Sequence, residues 1–160
     1  MQSIGNAMED TPWYDDVVLP ALLRHARTTY GKAMRAALDE AGFDDIPGNG
    51  LYIIGGLALE SRDTPLRKLV KELQITKQGA GQLVDALVMR GYLSRAIDEN
   101  DRRQLIVTLT ERGRAAAKVQ AEVRERIDAE LLERVGEKDI KAARRTLGAL
   151  IDMRREDAAA

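Results

Sequence analysis

The stretch "TKQGAGQLVDALVMRGYLSRAIDENDRRQLIVTLTERG", residues 76–113, decides the fold. It opens on Thr76, whose hydroxyl suits the cap of free backbone N–H groups. Ala80, Leu83, Val84, Leu87 and Val88 then recur at three- and four-residue steps, the stripe of an amphipathic helix. Gly91 closes that helix. Two short apolar runs, residues 92–97 and 105–109, flank a tip so dense in charge that it can bury nothing. In the second run Leu105, Val107 and Leu109 alternate with Ile106 and Thr108, as a half-buried strand requires. The order is helix, strand, charged turn, strand.

Upstream, "SRDTPLRKLVKELQI" predicts a helix capped by Thr64. Pro65 would take the first helical position, where its missing donor costs nothing, and Leu66, Leu69, Val70 and Leu73 would line one face. Only Gln74 and Ile75 separate this helix from Thr76, so the two must cross steeply, the geometry of a helix-turn-helix. Further back, Leu19, Leu22, Leu23, Ala26, Tyr30, Met34, Ala37 and Leu38 mark one long helix ending near Gly42, with Pro20 tolerated in its first turn. "DDIPGNG" is a connector, and "LYIIGGLALE" reads as a short helix apolar all round and therefore buried. Downstream of Thr110, a second cap, a helix over 111–135 carries Ala116, Val119, Val123, Ile127 and Leu131. "VGEKD" breaks it, and a last helix carries Ile140, Ala143, Leu147, Leu150 and Ile151.

These readings add up to a mainly α fold, an α+β winged helix with about six helices and a two-stranded β-wing. Residues 1–12 are expected to form a disordered start or a cloning remnant. Residues 13–62 supply N-terminal helices for dimerisation and core, 63–113 the winged helix-turn-helix lobe, and 114–155 C-terminal dimerisation helices. The terminal helices carry apolar stripes that the central unit, occupied with its own core, can hardly cover. A second copy of the chain is the simplest cover.

Composition narrows the function. The chain has 160 residues, 44% hydrophobic and only 4% aromatic, enough for one aliphatic core. It lacks the roughly 20 uninterrupted apolar residues of a membrane span, and no basic start leads into an apolar signal core, so a cytoplasmic protein is expected. No cysteine is present, which excludes disulfides, thiolate metal sites and thiol redox sensing. One histidine and three serines, Ser3, Ser61 and Ser94, offer no nucleophile with its base and no metal cluster, so neither catalytic residues, metal nor cofactor is expected. The net charge of -1 hides an asymmetry: residues 1–65 hold five Lys or Arg against ten Asp or Glu, whereas residues 66–103 hold eight against five. A locally basic face can meet a polyanion although the whole chain is acidic, because surface fields follow local charge within about 8 Å at physiological salt.

Residues 76–113 resemble the MarR family of bacterial transcriptional regulators. In that family a recognition helix runs into a Gly-Tyr/Leu-x-x-Arg strand, an Asp-x-x-Asp-Arg-Arg tip and a Leu-Thr-x-x-Gly exit. Gly91, Arg95, Asp98, Asp101, Arg102, Arg103, Leu109, Thr110 and Gly113 match in register, and helix order extends the resemblance over about residues 17–155. It implies a homodimer on a near-palindromic double-stranded DNA operator, with a repressor released by a small aromatic or phenolic ligand. The rival reading is a winged-helix protein-interaction module without DNA binding, for which the helix start at Lys77 shows no apolar anchor.

Candidate residues follow from the chemistry of the duplex. Lys77, Gln78 and Gln82 stand at the start of a helix that can enter a major groove, where Lys suits guanine O6 and N7 and Gln suits adenine N6 and N7. Gly79 and Gly81 beside them cost helix propensity but allow close approach. Arg102 and Arg103 can grip phosphates or a narrow minor groove, with Thr76 and Arg95 as further DNA contacts. The resemblance implies that Asp85 pairs with Arg103 and braces the wing, with Asp101 orienting the same arginine. His25, Tyr30 and Tyr52 are the candidates for a ligand pocket, and Trp13, Tyr30 and Tyr52 for packing at the dimer base.

Overall fold

The computed structural model describes residues 11–60, 64–65, 68, 71 and 76–159. Helix α1 spans Leu19–Glu40, with proline in its first turn as expected, and α2 spans Gly50–Glu60. A two-residue strand β1, Thr64–Pro65, precedes α3, Lys77–Met89. The hairpin follows as β2, Leu93–Ile97, and β3, Leu105–Leu109, and α4 runs from Glu111 to Ala159. Four helical segments therefore stand among the described residues where about six were expected. The two C-terminal helices are joined with only Gly136 (φ 80, ψ 165) outside helical geometry. The first helix of the helix-turn-helix shows only Lys68 and Lys71 as helical. Its apolar face, Leu66, Leu69, Val70 and Leu73, and the turn at Gln74 and Ile75 lie outside the described residues.

Thr64 and Pro65 correct the sequence reading. They are a strand rather than a helix start, Thr64 opposite Val107 and Pro65 opposite Ile106. The strand order β1-β3-β2 puts them at an edge, where proline's missing donor breaks no ladder. The inner strand of the wing is thus paired on both sides at Ile106 and Val107, which anchors the middle of the hairpin.

The core gathers one side chain or more from nearly every element: Leu38 of α1, Ile54 of α2, Leu87 of α3, Val107 of β3 and Ala116 of α4 are each fully buried. Helix α2 is central to it through Leu51, Ile53, Ile54 and Leu57, but Ala58 and Leu59 are exposed, so the helix is buried on one face and not all round as its composition suggests. The buried Gln120 of α4 donates from Nε2 to the Leu51 carbonyl at 3.0 Å, so its amide is not left unpaired. Two glycines of the motif have structural reasons. Gly91 takes φ +79, which lets Tyr92 N–H turn back to the Leu87 carbonyl at 2.9 Å and end α3. A Cβ on Gly113 would stand 2.1 Å from the Tyr92 carbonyl oxygen, so only glycine lets the first turn of α4 lie against the wing.

Burial is uneven along α4. Ala116, Ala117 and Val123 are buried, but beyond Leu131 many apolar side chains stand in the open, with Leu132 46% exposed, Val135 42%, Leu147 40% and Ile151 44%, while Ile140 is partly covered. At the other end of the chain Trp13, Val18 and Leu19 are at least half exposed, with Trp13 edge-to-face on Tyr14. No helix among the described residues is long and apolar enough to cross a membrane.

Candidate nucleic-acid interface

Helix α3 starts with a side-chain cap. Thr76 is extended (φ -61, ψ 149) and its Oγ1 accepts from Gly79 N–H at 3.0 Å, so the hydroxyl oxygen expected to touch DNA is engaged with its own helix. A Cβ on Gly79 would approach that same oxygen to 3.0 Å, whereas a Cβ on Gly81 would meet nothing. Gly79 therefore protects the cap, and Gly81 leaves an open spot on the helix surface. Ala80, Val84 and Leu87 point into the core. Lys77, Gln78 and Gln82 are consequently turned outward, and all three are exposed.

The wing is a five-rung antiparallel hairpin, Leu93 opposite Leu109 at its base and Ile97 opposite Leu105 at its outer end. Arg95 lies on the rung facing Val107, and its guanidinium donates to the Asp85 carboxylate of α3. The partner of Asp85 is therefore Arg95, not Arg103. Position agrees with it: Arg95 lies on the middle rung of the hairpin, whereas Arg103 lies in the turn outside β3. The pair is half-exposed, so it adds at most about 1 kcal/mol to stability. It ties the middle rung of the wing to α3.

The acidic residues of the tip have their own employment. Asp98 accepts from Asn100 N–H at 2.8 Å and Asp101 from Arg103 N–H at 3.1 Å, while Asp98 N–H donates to the Gln104 carbonyl at 2.9 Å. Carboxylates two residues ahead of a main-chain N–H close local turns. Asp101 thus touches Arg103 through the backbone and shapes the turn; it does not brace the wing to the helix. With those carboxylates committed to main-chain donors, the Arg102 and Arg103 side chains project exposed from the tip.

The fold that carries this helix and hairpin recurs in solved structures. S. aureus MepR in its DNA-binding conformation aligns with TM-score 0.72, over 85% of this chain and 98% of MepR, at 17% identity. This chain has the MarR fold. Streptococcus pneumoniae FabT, solved in complex with DNA, aligns with TM-score 0.70 over 86% of this chain and 97% of its own at 18% identity. MarR from Oenococcus oeni aligns with TM-score 0.66 over 84% and 99% at 18% identity. Among curated proteins, an uncharacterized HTH-type transcriptional regulator of Bacillus subtilis (strain 168), YwhA, is 29% identical over 114 residues, 71% of this chain and 81% of its own length. No family model matches the chain.

Within this MarR fold the three ligand candidates separate. Tyr52 of α2 lies under the Arg27 guanidinium, 4.5 Å from the ring centroid, and lines an open groove of about 370 Å³ with Arg24, Thr28 and Asn49. Tyr30 instead donates to Asp128 of α4, and its hydroxyl is pushed up to about 12, first by burial and then by that bond, so it stays a donor. His25 is exposed on α1. Of the three, Tyr52 alone lines this groove among the described residues.

Proposed function

We propose that the protein is a cytoplasmic, sequence-specific DNA-binding transcriptional regulator, acting as a homodimer and as a repressor released by a small aromatic or phenolic ligand. The observation that supports it best is the shared outward face of α3 and the wing. Lys77, Gln78 and Gln82 are exposed at the start of a capped helix, and Arg102 and Arg103 are exposed at a tip held to that helix through Asp85 and Arg95. The first three suit base edges of a major groove, and the arginines suit phosphates or the adjacent minor groove. The interaction-module reading is weaker, because nothing apolar stands among the exposed side chains at the start of α3.

Dimerisation gives the exposed apolar residues of α4 and of residues 13–19 a cover, and places two recognition helices to meet half-sites about 10 bp apart on one side of the duplex. The groove beside Tyr52, with two arginines and a ring on its walls, suits a planar anion. Selection from a pool of random duplexes by the purified protein, followed by footprinting, tests the reading. Enrichment of a near-palindrome is expected; recovery of unselected sequence alone would reject sequence-specific regulation.

A further inference from the structure

A polar junction lies at the back of the lobe, away from the exposed face of α3 and the wing. Tyr92, the residue after Gly91, has its ring fully buried, edge-on to Phe43, and its hydroxyl donates to the Asp45 carboxylate in the connector between α1 and α2. Arg112, in the first turn of α4, donates from one nitrogen to Asp45 Oδ1 and to the Tyr92 hydroxyl, each at 3.0 Å, and its guanidinium lies 4.6 Å from the Tyr92 ring centroid. Arg90, at the end of α3, donates to the Asp45 carbonyl at 2.7 Å. Four segments therefore meet at one aspartate: the connector from α1, the end of the recognition helix, the start of the wing and the start of α4.

Electrostatics agrees with the geometry. The Tyr92 hydrogen bond, with Arg112 and Arg90 close by, holds the Asp45 carboxyl below the usual range. Burial, then the bond to Asp45, pushes the Tyr92 hydroxyl up, so it remains a donor. Asp45 and Arg112 are nonetheless 40% and 45% exposed, and pairs so placed contribute little to stability. The core already holds the lobe. The junction adds orientation, because it cross-links the recognition helix to the two long helices whose outer parts are left uncovered.

We infer that Asp45, Tyr92 and Arg112 are positioning residues that fix the recognition helix relative to the α1 and α4 base, and so set the half-site spacing the dimer accepts. The inference rests on the function proposed above. In a dimer, one base pair more or less between half-sites shifts one helix by about 3.4 Å and turns it around the duplex axis, which a rigid lobe cannot follow. A lobe freed at this junction can swivel to follow it.

The test uses the half-site selected from random duplexes, built into three palindromes with the selected spacing and with one base pair added or removed. Wild type is expected to lose at least about tenfold in affinity on both altered spacers, as for loss of part of a site. Tyr92→Phe, which keeps the ring, and Asp45→Asn are each expected to bind all three within about threefold of one another. Their affinity for random duplex, which reads phosphate contacts only, stays unchanged, and thermal melting checks that they fold. Wild-type spacing preference in both folded variants overturns the inference, as does a wild type indifferent to spacing. A wild type that binds no duplex at all instead overturns the proposed function, and this inference with it.

Discussion

The two ends of the molecule expose different mixtures of side chains, although the lobe also leaves Met89, Ile97 and Leu105 open. At the lobe, α3 and the wing turn Lys77, Gln78, Gln82, Arg102 and Arg103 outward over a closed core. At the base, Leu132, Val135, Leu147, Leu150 and Ile151 of α4 stand 40% or more exposed, and Trp13 and Val18 more than that. Both ends are built from amphipathic helices with similar apolar spacing. The difference is that the stripe of α3 is buried against β2 and α2 of its own chain, whereas the outer stripe of α4 is left 40% or more exposed at Leu132, Val135, Leu147, Leu150 and Ile151. Polar exposure over a finished core suits a polyanion; apolar exposure without a core suits a second copy.

The largest effect should come from breaking the base. Leu147→Glu would place an unpaired charge in the proposed dimer interface, at a cost on the order of 3–5 kcal/mol. Light scattering should report monomers, with the lobe still folded by circular dichroism; an intact dimer would mean that another surface pairs the copies. The converse variant sharpens the contrast at the lobe. Gln78→Ala should cost about 1–3 kcal/mol against the preferred base and leave affinity for random duplex unchanged, because it removes a base contact and no phosphate contact. Competition binding with matched and mutated half-sites decides it, and equal losses on both would assign Gln78 to gripping. The smallest effect on stability belongs to Asp85→Ala. Its exposed pair with Arg95 is worth at most about 1 kcal/mol, so the melting temperature should barely move. Specific affinity should fall all the same, since the wing loses its tie to α3; unaltered binding would show that β1 and the hairpin base hold the wing by themselves.

Periodic segments were legible in the sequence. The helices at 19–40, 50–60 and 77–89, the hairpin and the break at "VGEKD" all follow from spacing, caps and glycines that act locally. Thr64 and Pro65 misled because threonine before proline is a good helix start in isolation, and only β3, some forty residues on, supplies the partner that makes it a strand. The Asp85 partner was misjudged for a related reason. Arg95 and Arg103 are both arginines of one motif, and only the hairpin register tells which lies beside the helix. The junction of Asp45, Tyr92 and Arg112 left no trace at all, since no periodicity links a connector, a strand start and a helix start. Asp101 was expected to orient the Arg103 side chain, yet it accepts from the Arg103 main-chain N–H, a role that Asp two residues ahead of a turn N–H commonly takes and that Asp98 shares.

The central claim is that the lobe's exposed cations meet a DNA backbone, and the most direct measurement is the salt dependence of duplex binding for wild type and for the Arg102→Ala, Arg103→Ala double variant. Every phosphate that a variant no longer neutralises should flatten the slope of log affinity against log salt by about 0.9, so removal of both arginines from both copies should flatten it by up to about 3.6. The same flattening should appear on the selected operator and on random duplex. An unchanged slope on both, in a folded dimer, would mean that the charged tip does not touch DNA.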